Sequence, residues 1–277
     1  MLKIDSHQHF WKYEDSMSDW ITADMAVLRR NFMPEDLEPL LKESDIDGCV
    51  VVQVNQSQEE NLFQLTSALS NDFIKGVVGW VNLQATDIAE QLEELSKHVK
   101  LKGFRHILQG EQDRSLMLKP EFLNGIKALD KQGFTYDILI YPDQLMYLPE
   151  LVSQFPDQRF VIDHIAKPEI KTRNIDDWAA GIKALQKYDN LFCKVSGMVT
   201  EADWSGWKPE DFDPYLDIVF ETFGARRVMF GSDWPVCLPA GEYKDVVSLA
   251  GNYIEKLTTK EQSLFWGGNA MEFYNLN

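Results

Sequence analysis

The apolar residues of this chain fall into two alternating rhythms. Short runs rich in Val, Ile and Phe occupy residues 2–9, 48–54, 75–83, 101–108, 136–141, 159–165, 191–196 and 227–232, each of strand length. Between them, residues 34–44, 85–98, 120–132 and 178–188 space apolar side chains three or four apart with charge elsewhere, the period of an amphipathic helix. Pro34, Pro120 and Pro209 stand where a helix tolerates a first-turn proline, and Gly133 and Gly224 follow apolar-periodic stretches as stop signals. Strands that alternate with helices pair in parallel through right-handed crossovers. Eight such units in about 250 residues predict an α/β fold, a closed (β/α)8 TIM barrel. A doubly wound open sheet is the structural alternative, and the lack of a GxGxxG after the first strand counts against it. With no low-complexity stretch and no Gly/Ser linker, residues 1–277 read as one barrel domain.

In such a barrel, chemistry gathers at the C-terminal ends of the strands. Strand one ends in His7 and His9, and the two-residue alternation of a strand predicts that Asp5, His7 and His9 project the same way. Strand two ends in Gln53 and Asn55, strand three in Trp80 and Asn82, strand four in Arg105 and His106, and strand five in Tyr141. Strand six ends in Asp163 and His164, strand seven in Lys194 and Ser196, and strand eight in Ser232 and Asp233. Packing gives core strands no reason to end repeatedly in imidazole, guanidinium and carboxylate. Arg105 and His106 are adjacent, so alternation sends one to the lumen and the other to the rim. Lys194 is expected to reach past the rim to solvent. The long connections 10–32, with Trp11, Tyr13 and Trp20, and 198–208, with Trp204 and Trp207, follow strands and offer aromatic walls at the barrel mouth. His98 ends a helix, where a cation suits the dipole, and is set apart from the site.

Composition narrows the partners. Hydrophobic residues make up 44% of 277, ample for a large core, and no apolar run approaches the ~20 residues that span a bilayer. A net charge of −17 argues against nucleic acid or an anionic membrane as partner, and against polyanionic substrates unless positive charge is gathered in a pocket. Three widely spaced cysteines, Cys49, Cys193 and Cys237, suit reduced thiols better than disulfides, and without a CxxC pair no structural zinc site is expected. The opening MLKIDSHQHF lacks the apolar stretch of a secretion signal, and a cytoplasmic protein is the expectation. Nothing in the sequence specifies an oligomeric state.

The ordered set DxHxH on strand one, His164 on strand six and Asp233 on strand eight resembles the amidohydrolase superfamily. FRHILQ, DHIAKP, KVSGM and GSDWPV resemble its amidohydrolase-2 branch, which includes sugar lactonases of the L-fuconolactonase and L-rhamnono-γ-lactonase type. The match runs from Asp5 to Pro235 in order, most of the chain. It implies a hydrolase acting on the carboxylic ester of a small sugar-acid lactone in carbohydrate catabolism. Binuclear members carry a bridging carboxylated lysine at the end of strand four; Arg105 and His106 stand there instead, so a two-metal site is not expected. The resemblance leaves two options: one divalent ion, zinc or manganese, held by His7, His9 and Asp233 with help from His164, or a metal-free hydrogen-bonding site. In either, Asp233 would serve as general base, with His7, His9 and His164 polarising the carbonyl. Arg105 or His106 would bind substrate oxygens, and Gln53, Trp80, Trp20 and Tyr141 would line the sugar pocket. Two other functions stay open: a metal-dependent decarboxylase of an aromatic or unsaturated acid, and a non-catalytic barrel that binds a small ligand.

Overall fold

The computed structural model describes residues 2–276. Eight parallel strands lie side by side in chain order: β1 Ile4–Gln8, β2 Gly48–Val52, β3 Ile74–Gly79, β4 Leu101–His106, β5 Thr135–Ile138, β6 Phe160–Ile162, β7 Leu191–Val195 and β8 Val228–Phe230. Helices alternate with them: α1 Pro34–Glu43, α2 Gln58–Ser70, α3 Ile88–Leu95, α4 Pro120–Gln132, α5 Leu148–Gln154, α6 Asp176–Lys183, α7 Asp213–Phe223 and α8 Tyr243–Ile254. Two short helices, α9 Thr259–Ser263 and α10 Asn269–Phe273, end the chain. This is the predicted (β/α)8 TIM barrel. No helix among the described residues is long and apolar enough to cross a membrane.

The seam between the first and last strands closes at the upper end, through the residues that carry the chemistry. Gln8 bridges Trp234 in parallel, the His9 amide donates to the Trp234 carbonyl at 2.7 Å, and the Asp233 amide donates to the His7 carbonyl at 2.8 Å. Closing the barrel and assembling the strand-end residues are therefore one event. Below the seam, Ile4, Val50, Val52, Val78, Val161 and Met229 fill the lumen, and the C-terminal segment plugs it with Ala270, Phe273, Tyr274 and Leu276. A separate apolar shell joins strands to helices.

The expectation that Asp5, His7 and His9 share one face is wrong for Asp5. Asp5 pairs with Cys49 while Gln8 pairs with Val51, so three steps on β1 match two on β2. This bulge inserts one extra residue and reverses the alternation beyond it. Ile4 and His7, an odd number apart, both face the lumen, whereas Asp5 turns outward to the first residue of α8. Its carboxylate accepts from the His7 amide at 3.1 Å, the Ser232 amide at 2.9 Å and the Tyr243 hydroxyl at 3.1 Å. Asp5 thus fastens the bulge to the barrel seam.

Burial pushes the Asp5 carboxyl up to about 6, against the pull of these hydrogen bonds. A folded-state pKa above the unfolded value makes a contribution that is complete below about 3.9 and is lost as pH rises through 6. Asp5→Asn keeps an acceptor for both amides and removes the titration. Its stability relative to wild type should rise by up to about 3 kcal/mol between roughly pH 4 and pH 7. Urea unfolding of both proteins across that range checks this, and a pH-independent difference would contradict it.

Candidate active site

Three irregular pieces of backbone aim the strand-end residues. The β1 bulge turns His7 and His9 inward. After β6 the chain enters a left-handed turn, with φ of 55° at His164, 48° at Ile165, 60° at Ala166 and 49° at Lys167. After β8, Asp233 itself has φ 58°. None of these residues is glycine, and each such conformation costs about 1–2 kcal/mol. Such strain persists where surrounding structure holds it, and it concentrates at functional sites.

The three imidazoles meet one carboxylate oxygen. Asp233 Oδ1 lies 3.2 Å from His9 Nε2, 3.8 Å from His7 Nε2 and 3.8 Å from His164 Nε2. His9 Nδ1 is 2.8 Å from the Val52 carbonyl, which only accepts, so the neutral ring carries its proton on Nδ1 and presents a lone pair at Nε2. That lone pair faces a carboxylate oxygen and, at 3.2 Å, His7 Nε2. Two acceptors so close call for a proton, a water or a cation between them. Burial would raise the Asp233 carboxyl, but His164 and His9 outweigh it and hold it below the usual carboxylate range. Burial drives His7 and His164 well below the ordinary imidazole value. At neutral pH the site therefore holds an ionised carboxylate beside neutral His7 and His164 rings.

Beneath this cluster lies a buried layer of charge. Lys194, with no solvent exposure, contacts Asp137 Oδ2, Asp163 Oδ1 at 3.0 Å and His7 Nδ1 at 3.1 Å. The Asp137–Lys194 contact is 2.5 Å, and the Tyr274 hydroxyl, rising from the C-terminal plug, donates to the same Asp137 oxygen at 2.7 Å. Arg105 donates to Asp163 Oδ2 at 3.1 Å and to the Gln53 carbonyl, and its Nη1 is 3.3 Å from His7 Nε2. Burial would raise Asp163, but Lys194, His7 and Arg105 together hold it well below the carboxylate range. Burial lifts Asp137 to about 6 despite its lysine.

A metal fits the upper cluster. His7, His164 and Asp233 each bring one ligand atom within 4.8 Å of the others, and ligands about 2.0–2.2 Å from a tetrahedral zinc stand about 3.3 Å apart. Two of these rings have partners for either tautomer. His7 Nδ1 faces a donor, Lys194, and an acceptor, Asp163 Oδ1 at 3.2 Å, while His164 Nδ1 lies 2.9 Å from the Ser196 hydroxyl, which does both. Either ring can thus present a lone pair or an N–H to the site.

The family model for amidohydrolases matches residues 4–276. This chain belongs to the amidohydrolase family. It is 38% identical to the L-fucono-1,5-lactonase of Burkholderia multivorans, over 99% of this chain and 96% of that one. It is 34% identical to the L-fucono-1,5-lactonase of Burkholderia ambifaria, over 100% of this chain and 96% of that one. A crystal structure of an amidohydrolase from Burkholderia multivorans with bound zinc superposes with a TM-score of 0.96 at 37% identity, covering both chains completely.

The other expected residues of this amidohydrolase divide by position. Arg105 faces the lumen, while His106 turns outward: its ring stands 5.8 Å from that of Phe122 on α4 and its Nε2 is 2.8 Å from Glu111. Gln53 is fully buried and donates to the Arg105 carbonyl at 3.1 Å, so it braces Arg105. Trp80 Nε1 reaches His106 Nδ1 at 3.4 Å, and Tyr141 lies 40% exposed at the mouth. Trp20 lines a cleft of about 310 Å³ with Trp11, Lys12, Asn55 and Phe63; none of His7, His9, His164 and Asp233 lines it. Lys194 does not extend to solvent as expected. Its carboxylate partners lie inside the barrel on β5 and just beyond β6, and a desolvated ammonium stays buried only with such partners. Sequence reasoning missed Asp137 and Tyr274. The first is a carboxylate inside an apolar strand, a signal available in TYDILI; the second gives none.

Gly197, in KVSGM, is the packing limit of the site. It has φ 59°, and a Cβ there would stand 2.4 Å from His164 Nδ1 and 3.1 Å from Asp233 Oδ2. Gly197→Ala should displace the His164 ring and lower kcat by at least about a hundredfold, with circular dichroism unchanged. Activity within threefold of wild type would contradict this placement.

Proposed function

We propose that this amidohydrolase opens a sugar-acid lactone, an aldonolactone such as L-fucono-1,5-lactone, by attack of a water activated at Asp233. The observation that carries the reading is the ionised Asp233 carboxylate in contact with three buried imidazoles. The near-full-length likeness to two L-fucono-1,5-lactonases supports the substrate class.

The chain's own groups supply each step. Asp233, held below the usual carboxylate range, takes the proton of the attacking water. His9 Nε2, a lone pair 3.2 Å away, shares that proton and steadies it until the leaving ring oxygen collects it. When Lys194 donates to His7 Nδ1 and the Ser196 hydroxyl donates to His164 Nδ1, both rings carry their proton on Nε2. Two N–H groups then flank the carboxylate and stabilise the oxyanion of the tetrahedral intermediate. Arg105, braced by Gln53, stands 3.3 Å from His7 Nε2, and Trp80 and Tyr141 would contact the sugar at the rim. In the other tautomer, with Nε2 of both rings unprotonated, His7, His164 and Asp233 would hold, beside His9, a single zinc or manganese ion, which when bound supplies Lewis-acid polarisation of the carbonyl. The reading includes a cytoplasmic enzyme, supported by three buried free thiols at Cys49, Cys193 and Cys237.

A pH-indicator screen of aldonolactones, with and without chelator and corrected for spontaneous opening, tests the function. Acceleration of at least one aldonolactone is expected, and Asp233→Asn should lose roughly a thousandfold in kcat. Release of CO2 from an aromatic acid with no lactone opening would overturn the reading in favour of a decarboxylase. Full activity in Asp233→Asn would remove Asp233 as the base. Because Asp233 must be ionised to accept a proton and is held below the usual carboxylate range, it should contribute no acid limb to kcat/KM above roughly pH 5. An acid limb near neutrality that persists in His9→Asn would assign the base elsewhere.

A further inference from the structure

Lactone opening turns a neutral ester into a carboxylate. Negative charge develops first on the oxyanion, while Asp233 holds the water proton, and then on the product carboxylate once its acid proton leaves to solvent and Asp233 is ionised again, all within a chain of net charge −17. Such a site needs a cation free to meet that charge. Most cations near the lumen are committed. Lys194 is enclosed between Asp137 and Asp163, and Arg105 is tied to Asp163 and the Gln53 carbonyl. At the mouth, Arg114 makes a two-pronged pair with Asp143, both contacts 2.7 Å.

Lys167 is different. Its Nζ lies 3.7 Å from Glu201 Oε1, beyond hydrogen-bond reach, and 5.7 Å from the centroid of the Tyr141 ring. Its side chain is 18% exposed, on the rim rather than in the core. It closes the left-handed turn that begins at His164, and its amide donates to the His164 carbonyl at 2.8 Å. Trp178 Nε1 pins the same turn by donating to the Ile165 carbonyl at 2.7 Å. The two residues between, Ile165 and Ala166, carry no polar side chain. Four strained residues therefore deliver two functional groups, an imidazole at one end and an ammonium at the other, and such an outlier is a reason to look for function. Its charge is the smallest of the named causes that lower the Asp233 and His164 pKa values.

Resting on the lactonase reading above, we infer that Lys167 is a further substrate-contacting residue: its ammonium leaves Glu201 to bind the carboxylate that lactone opening creates. Glu201 is its resting counter-ion, and the Tyr141 ring face is its support. The loose pairing lets the product capture the lysine without breaking a strong ion pair, and the ammonium returns to Glu201 when product leaves.

Two probes separate charge recognition from general binding. L-fuconate carries the carboxylate, and L-fucose presents a neutral ring of the same stereochemistry. Isothermal titration on wild type, Lys167→Met, Lys167→Arg and Glu201→Gln should show Lys167→Met weakening L-fuconate by about tenfold or more while L-fucose changes by less than about twofold. Lys167→Arg should restore most of the affinity for L-fuconate. Glu201→Gln should tighten L-fuconate several-fold, an opposite sign that misfolding would not produce. Equal loss of both probes, or unchanged L-fuconate binding, in Lys167→Met would overturn the role of Lys167 while leaving lactone hydrolysis standing. A wild type that opens no lactone and binds neither probe would overturn the parent reading and this inference with it.

Discussion

A lysine ammonium with no contact with water sits between two carboxylates in the middle of this barrel. Removing a charge from water costs several kcal/mol, and only close, well-oriented partners offset it. Lys194 therefore dictates where Asp137 on β5 and Asp163 after β6 must stand, and its remaining donor direction meets His7 Nδ1. Tyr274 binds Asp137 from below, so the C-terminal plug is fastened to the same network. His7 on the first strand thus rests on a floor built from the middle of the barrel and the end of the chain.

Above that floor, irregular backbone does the aiming. A regular strand offers only two side-chain directions, and three histidines and an aspartate do not converge on one point from regular strands. The bulge in β1, the left-handed turn after β6 and the positive φ of Asp233 supply the missing rotations. Their strain is carried by a barrel with an apolar outer shell and an apolar layer in the lumen beneath the buried charges. The cations divide accordingly: Lys194 and Arg105 are bound within the fold, and Lys167 stands at the mouth.

The barrel is legible in the sequence because its two signals, short apolar runs for strands and a period near 3.6 for helices, alternate through most of the chain. The site is legible because His7, His9, His164 and Asp233 each end an apolar run. What escapes is set by tertiary structure. Alternation carries no mark of an extra residue, so Asp5 reads as a neighbour of the histidines when the bulge sends it to Tyr243. Lys194 near the end of LFCKV reads as a rim residue because its partners come from other strands. Ile165 and Ala166 give no local signal of left-handed backbone, a conformation that surrounding contacts such as the Trp178 hydrogen bond maintain.

The buried ion network is most directly tested by a double-mutant cycle on Lys194→Met and Asp137→Asn, read as unfolding free energy in urea. If the lysine is needed to compensate the carboxylates, Lys194→Met alone should cost about 3–5 kcal/mol. The double variant should then be at least about 2 kcal/mol more stable than the sum of the single effects predicts. Additivity within about 0.5 kcal/mol would contradict the account, because it would mean that the two groups stand side by side without depending on each other.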